Sequence, residues 1–296
     1  MLNPPLSLLP NDLLFFIVEQ LERLSPFLKK NFNNLNNLSL ADRAFTETCQ
    51  KFIFQELILG DGRDIASVSK DLEKVKKFLE DKPLLAKQVR VVRFGFWFFG
   101  NNEKSAFSFK DPNFTSILHL LAKSLMPPRE LNFNGTLSSI IKDPTFVTRQ
   151  LAESFFSQSL TILRLSNIAN APLPLFLICP KLREVFLNSV EASGKSYDSY
   201  PDDLCSGRET PLLEVLEYRK SHTLVEQMIV PPPRFNTPMI LLSNLRVLKL
   251  ASNDNQGMTY LQPILDVACN TLEELYLTSF VLGSRCLQFL IIRSEF

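Results

Sequence analysis

From residue 87 onward the apolar residues fall into one recurring phrase, apolar-x-x-apolar-x-apolar. It occurs as VRVVRF (Val89, Val92, Phe94), LTILRL (Leu160, Leu163, Leu165) and LREVFL (Leu182, Val185, Leu187). It returns as LEVLEY (Leu213, Leu216, Tyr218), LRVLKL (Leu245, Leu248, Leu250) and LEELYL (Leu272, Leu275, Leu277). A weaker copy, RELNF, keeps Leu131 and Phe133 in register but has Pro128 at the first position. The second half of each phrase alternates with period two and predicts a short, half-buried strand. Between the phrases lie stretches read as helices: FTSILHLLAKSL, FVTRQLAESFF, TLVEQMI, MTYLQPILDVAC and SRCLQFLII. Strand and helix alternating seven times is the sequence form of an α/β solenoid.

The L-x-x-L-x-L phrase resembles the leucine-rich repeat. With the fourth residue of each phrase as marker (92, 131, 163, 185, 216, 248, 275), the steps are 39, 32, 22, 31, 32 and 27 residues. Several exceed the usual ~20–29 residues, so the expectation is an irregular horseshoe of about seven repeats over 87–296, with long helices or loops outside the strand layer. The alternative is a doubly wound sheet, a fold that would not repeat one strand phrase so closely. The 25 phenylalanines suit a core that needs large apolar fillers.

Residues 8–59 are read as lying outside the repeat. LLPNDLLFFIVEQL (8–21) opens with Pro10-Asn11-Asp12, a sound helix start because Asn or Asp can cap free backbone N–H groups. Six apolar residues follow, Leu13 to Val18. At about 3.6 residues per turn such a run wraps most of a helix, and one core cannot cover it. Farther on, Phe45, Cys49, Phe52 and Ile53 form a second helical face. The segment reads as a small helical unit over 1–60, below the size at which a lone core is comfortable. Residues 61–86 connect it to the repeats. There Ile65, Val68, Leu72, Val75, Phe78 and Leu79 make the stripe of an amphipathic helix ending at Pro83, a cap for the first repeat.

LPNDLLFFIVEQL followed by LSLADRAFTETC resembles an F-box, whose usual form is Leu-Pro, an apolar helix, then Leu-Ser-Leu-Val-Cys-Arg-x-Trp/Phe. Leu9, Pro10, Leu13, Leu14, Ile17 and Leu21 match the first half; Ser39 to Phe45 match the second. The chain departs at Ala41, usually Val, and at Phe45, often Trp, and extra residues including NFNNLNN separate the halves. The order of F-box then degenerate leucine-rich repeats is similar to that of fungal F-box proteins. The resemblance implies that Leu9, Pro10, Leu13, Leu14, Ile17, Leu21, Leu40 and Phe45 dock the Skp-type adaptor of a cullin–RING ubiquitin ligase. The uncovered side of the first helix would then be covered by another protein; the alternative is that the first repeat covers it. The repeats would hold a protein substrate for ubiquitin transfer by other subunits. A scaffold outside any ligase, its N-terminal helices a cap, is the other reading.

In a leucine-rich repeat the residues between the buried leucines point out of the concave sheet. That column is Arg93, Asn132, Arg164, Phe186, Glu217, Lys249 and Tyr276, the expected substrate face; the bland reading is a solvated sheet surface. Arg93 and Arg164 stand out, since an exposed strand Arg can grip a carboxylate or phosphate in bidentate fashion. GFWFFGNNEKSAFSFKD, EASGKSYDSYPDDLCSGRETP and VPPPRFNTP are irregular segments that could extend this surface or be plain insertions.

Composition narrows the partners. Thirty-two Lys and Arg against 31 Asp and Glu leave a formal charge of +1, no basis for a nucleic-acid or membrane partner. Five scattered cysteines without a C-x-x-C pair read as reduced thiols, which with no signal peptide and no long apolar stretch suggests a cytoplasmic or nuclear protein. The apolar last ten residues suggest a truncated end or one covered by something else. The two histidines, His119 and His222, have no second His or Cys at metal spacing. No phosphate-binding or nucleophile-elbow motif occurs, and LGDGRD (59–64) is too short for one. No cofactor, metal or catalytic residue is expected; a hydrolase assembled from distant residues stays open as a third class.

Overall fold

The computed structural model describes residues 10–23, 35, 37–40, 43–60, 65–95, 111–141, 147–192, 208–230, 238–252, 260–279 and 288–293. Two helices open it, α1 (Asn11–Arg23) and α2 (Arg43–Ile53), with helical residues 37–40 between them. The Pro10 carbonyl starts α1, accepting from the N–H groups of Leu13 and Leu14 at 3.0 and 3.1 Å. Leu14, Val18, Leu35, Phe45 and Cys49 bury one another in a small cluster of their own, backed by Leu38, Phe52 and Ile53. The Thr46 hydroxyl donates to the Ser39 carbonyl at 3.0 Å and ties α2 to the helical turn before it.

The rest is one sheet whose strands follow chain order: β1 (Glu56–Leu59), β2 (Val91–Phe94), β3 (Glu130–Ile140), β4 (Ile162–Ala171), β5 (Glu184–Ala192), β6 (Val215–Arg219), β7 (Val247–Ser252), β8 (Glu274–Ser279) and β9 (Gln288–Arg293). The first eight are parallel and β9 runs antiparallel to β8. The expected seven strands are all present and the architecture is α/β. Two strands are additional. β1, ELIL, lies in the range read as the helical unit, yet FQELIL carries a complete copy of the phrase (Phe54, Leu57, Leu59) directly after the second helical face, where it was overlooked. β9 lies in SRCLQFLII, expected to be helical. A short apolar run is ambiguous between buried helix and strand, and here the open edge of β8 supplies the backbone partners that favour the strand.

The phrase markers align in register: Leu57, Val92, Leu131, Leu163, Val185, Leu216, Leu248 and Leu275 are successive partners across the eight strands. Two residues on, Leu59, Phe94, Phe133, Leu165, Leu187, Tyr218, Leu250 and Leu277 form a second inward column, in which the Phe94 and Phe133 rings stack at 5.1 Å. Full burial of such side chains contributes about 1.5–3 kcal/mol each.

Helices between the strands cover this face. They are α3 (Ile65–Asp81), α4 (Pro83–Ala86), α5 (Pro112–Ala122), a π-helix (Val147–Phe156), α6 (Pro174–Leu177), α7 (His222–Ile229) and α8 (Leu261–Ala268). Val68, Leu72 and Leu79 of α3, Ile117 and Leu121 of α5, Leu151 and Phe156 of the π-helix, Val225 of α7 and Ile264 of α8 share one core with the strands. Asp111 begins α5: its carboxylate accepts from the Asn113 N–H at 2.8 Å and from the Ser69 hydroxyl of α3 at 2.8 Å. The Cys179 thiol is in the core, where burial pushes its pKa up to about 12, so it packs as a neutral filler.

Just before each strand a single carbonyl joins neighbours. The carbonyls of Gln55, Arg90, Arg129, Thr161, Arg183, Glu214 and Arg246 each accept two N–H groups from the next strand, at 2.8–3.1 Å. Beyond the strand centres Asn167, Ser189 and Lys220, each four residues past a marker, have φ of 55°, 53° and 50°. These left-handed positions recur at the same offset within β4, within β5 and just past β6, although none is glycine.

The inward columns carry two predictions. Leu216→Ala should lower unfolding free energy by ~2–5 kcal/mol in denaturant titration, because Leu216 is fully buried between two other markers. Among the described residues the buried Tyr218 hydroxyl has no hydrogen-bond partner, and burial pushes its pKa up to about 12. Tyr218→Phe should therefore be neutral or stabilising, by up to about 1 kcal/mol in the same titration.

Candidate functional site

The seven residues expected on the open face are placed in one line. Ile58, Arg93, Asn132, Arg164, Phe186, Glu217, Lys249 and Tyr276 are successive partners from β1 to β8. All seven from Arg93 to Tyr276 are half-buried, while their neighbours in the marker column are buried. The alternation of a pleated strand accounts for the difference: leucines face the helices, intervening residues the other way.

A second column on the same face was not singled out from the sequence. It is Glu56, Val91, Glu130, Ile162, Glu184, Val215, Val247 and Glu274. Aligning the phrases would have revealed it, since each member stands two residues before the central column. Two of its four carboxylates engage the arginines beside them. Arg93 pairs with Glu56 at 2.7 Å, and Arg164 Nε donates to Glu130 at 2.7 Å. The Arg164 guanidinium also lies on the Phe186 ring, 3.6 Å from its centroid, the geometry in which a cation is drawn to an aromatic face. Lys249 is 3.9 Å from Glu217 and 5.2 Å from the Tyr276 ring centroid, and the Tyr276 hydroxyl donates to Glu274 at 2.8 Å. Arg93 and Arg164, expected to be available to an anionic partner, are thus already paired across neighbouring strands.

Glu184, on the fifth of the nine strands, differs. Its side chain has no hydrogen bond or ion pair among the described residues. Burial holds its carboxyl above the ordinary carboxylate range; Arg164 opposes this through space, and Glu130 and Glu214 add to it. At the strand starts, Arg183 lies 3.6 Å from Glu214, and Arg246 grips Glu273 with two bonds of 2.7 and 2.8 Å.

The N-terminal residues divide into two groups. Leu14 and Phe45 are 4% and 2% exposed, inside the small helical cluster. Leu13, Phe15, Phe16 and Ile17 are 36–55% exposed and Leu40 is 84% exposed. Pro10 is exposed at the start of α1. Phe15 and Phe16 were not among the expected docking residues; the unbroken apolar run was their signal. Phe15 leans on Phe52 at 5.2 Å between ring centroids. Leu9 and the side chain of Leu21 lie outside the described residues, as do most of the three irregular segments (96–110, 193–207 and 231–237).

Among the described residues no group of three or more His, Cys, Asp or Glu could hold a metal ion, and no helix is long and apolar enough to cross a membrane. His119 is exposed on α5 with its ring edge-on to Phe155 at 4.9 Å.

The raised pKa of Glu184 has a consequence for stability. The folded chain binds this proton more tightly than the unfolded chain, so stability is lost as pH rises from the ordinary glutamate value through the raised one. Glu184→Gln removes that cost. It should melt above the wild type at neutral pH, with the gap closing as pH falls below about 4.3. Equal melting temperatures at neutral pH would mean that the carboxylate is fully hydrated.

Comparison with protein-family models, with curated proteins and with solved structures finds no match to this chain.

Proposed function

We propose that this protein is an F-box substrate receptor: its N-terminal helices dock a Skp-type adaptor, and its sheet, an irregular leucine-rich-repeat solenoid, presents a protein substrate to a cullin–RING ubiquitin ligase. The observation that carries the reading is the two-sided character of α1. Leu14 and Val18 are buried in the helical cluster, while Leu13, Phe16 and Ile17 of the same helix are left in solvent with Leu40 nearby in the motif. Exposing that much apolar surface is unfavourable unless a partner covers it. Of the residues left outside, Leu13, Ile17 and Leu40 are members of the motif that carries the F-box resemblance.

The repeat reading draws support from the sheet. Every phrase marker stacks on the next, and the strands follow chain order without a crossover, as a stack of repeats requires. In the L-x-x-L-x-L-x-x-N/C pattern the last position falls on Ser221 after Leu213, Leu216 and Tyr218. Ser221 is buried; its Oγ accepts the Val190 N–H of the neighbouring unit at 2.9 Å and donates to the Arg219 carbonyl at 2.9 Å, a polar link between repeats. In this reading the chain performs no chemistry itself. It brings substrate and ubiquitin-loaded subunits together, and the acceleration is one of proximity.

The test is binding of the purified chain to a Skp-type adaptor, beside a Leu13→Asp, Ile17→Asp double variant. Both positions are outside the buried cluster, so the variant should fold and melt like the wild type while affinity falls at least about a hundredfold. Failure of a well-folded wild type to bind would overturn the receptor reading and leave a repeat scaffold outside any ligase.

A further inference from the structure

The open face of the sheet is paired internally with one exception. In its two columns Arg93 is matched by Glu56, Arg164 by Glu130 and Phe186, Lys249 by Glu217 and Tyr276, and Glu274 by the Tyr276 hydroxyl. Glu184 alone among the charged members has a side chain with no hydrogen bond or ion pair among the described residues. Arg183, next to it in sequence, is turned to Glu214 and donates to the Leu212 carbonyl at 3.1 Å. Glu184 is also framed by apolar groups: its register partners on either side are Ile162 and Val215, both half-buried. Adjacent strands are ~4.8 Å apart, so the carboxylate lies in an apolar strip crossing β4 to β6.

A carboxylate on an apolar strip is complementary to a long cationic side chain, whose methylenes pack while its head is drawn to the charge. An anionic group has the opposite prospect. The cations on this face already hold carboxylates, and an incoming phosphate would have to displace Glu56 or Glu130 beside an unmatched Glu184. We propose that the open face recognises a protein segment carrying a lysine or arginine, its cationic head on Glu184 and its stem along Ile162 and Val215, rather than an acidic or phosphorylated one. This rests on the reading of that face as the substrate surface. The partial burial that holds Glu184 above the ordinary carboxylate range also means that a cation pairing there meets a carboxylate already partly stripped of water, where an ion pair is stronger than at an open surface.

The experiment presents the purified chain to three immobilised pools of short degenerate peptides. They share an uncharged background and differ at a fixed central position: lysine or arginine, aspartate or glutamate, or phosphoserine. The basic pool should retain the wild type at least about tenfold better than either acidic pool, the scale of one close charge pair. Glu184→Gln, which keeps size and breaks no internal bond, should erase that preference with an unchanged fold, and Glu184→Lys should move it toward the carboxylate pool. Retention on the phosphoserine pool, equal retention on all three, retention on none, or a basic preference that survives Glu184→Gln would each overturn the inference. Adaptor binding measured on the same preparations separates the two readings. Basic selection without adaptor binding sinks only the receptor reading, and adaptor binding without basic selection sinks only this one.

Discussion

One peptide carbonyl per strand sets the register on which the rest of the molecule depends. From Gln55 to Arg246 the carbonyl preceding each strand accepts two N–H groups of its successor. That shared acceptor aligns every following residue. A slip by a single residue would turn the leucines outward and the charges inward. With the register held, hydrophobic burial on one face and ion pairing on the other follow from the same alternation. The helices can then differ in length and winding without disturbing either face. The π-helix at Val147–Phe156, an unusual winding over ten residues, covers the same core as the ordinary α-helices around it.

The two apolar clusters answer to different constraints. Among the described residues the sheet core runs through eight strands and seven helices, and its markers from Val92 to Leu275 are buried. Among the described residues the helical cluster holds five buried side chains, and it leaves most of the apolar run Leu13 to Val18 outside. Buried Leu14 and Val18 are four apart and share one side of the helix; Phe16 and Ile17 fall on other parts of its circumference. Their exposure follows from the sequence once the helix is straight.

The parts of this architecture that were legible in the sequence are those encoded by side-chain type at fixed spacing. The phrase L-x-x-L-x-L specifies strand, inward face and neighbour at once, so seven strands, their register and the outward column could be read directly. β1 was missed although FQELIL carries the whole phrase, because Phe54 follows directly on the helical face of Phe52 and Ile53 and the run reads as its continuation; β9 was missed because an apolar run cannot distinguish strand from helix without its partner. The winding of the π-helix depends on backbone bonding, such as Ser157 N–H to the Ala152 carbonyl, which apolar spacing does not report. The pairing of Arg93 and Arg164 was missed for another reason: Glu56 and Glu130 are 37 and 34 residues earlier in the chain and become neighbours only through the sheet. An arginine that looks available in one dimension is spoken for in three.

The strict chain order of the strands bears on how such a sequence can diverge. Each strand touches only the strands before and after it, so no connection is obliged to reach across the sheet. Lengthening or trimming the segment between two strands leaves the others in place, provided the carbonyl and the two inward residues of each phrase keep their posts. Steps ranging from 22 to 39 residues are therefore tolerable in one continuous sheet.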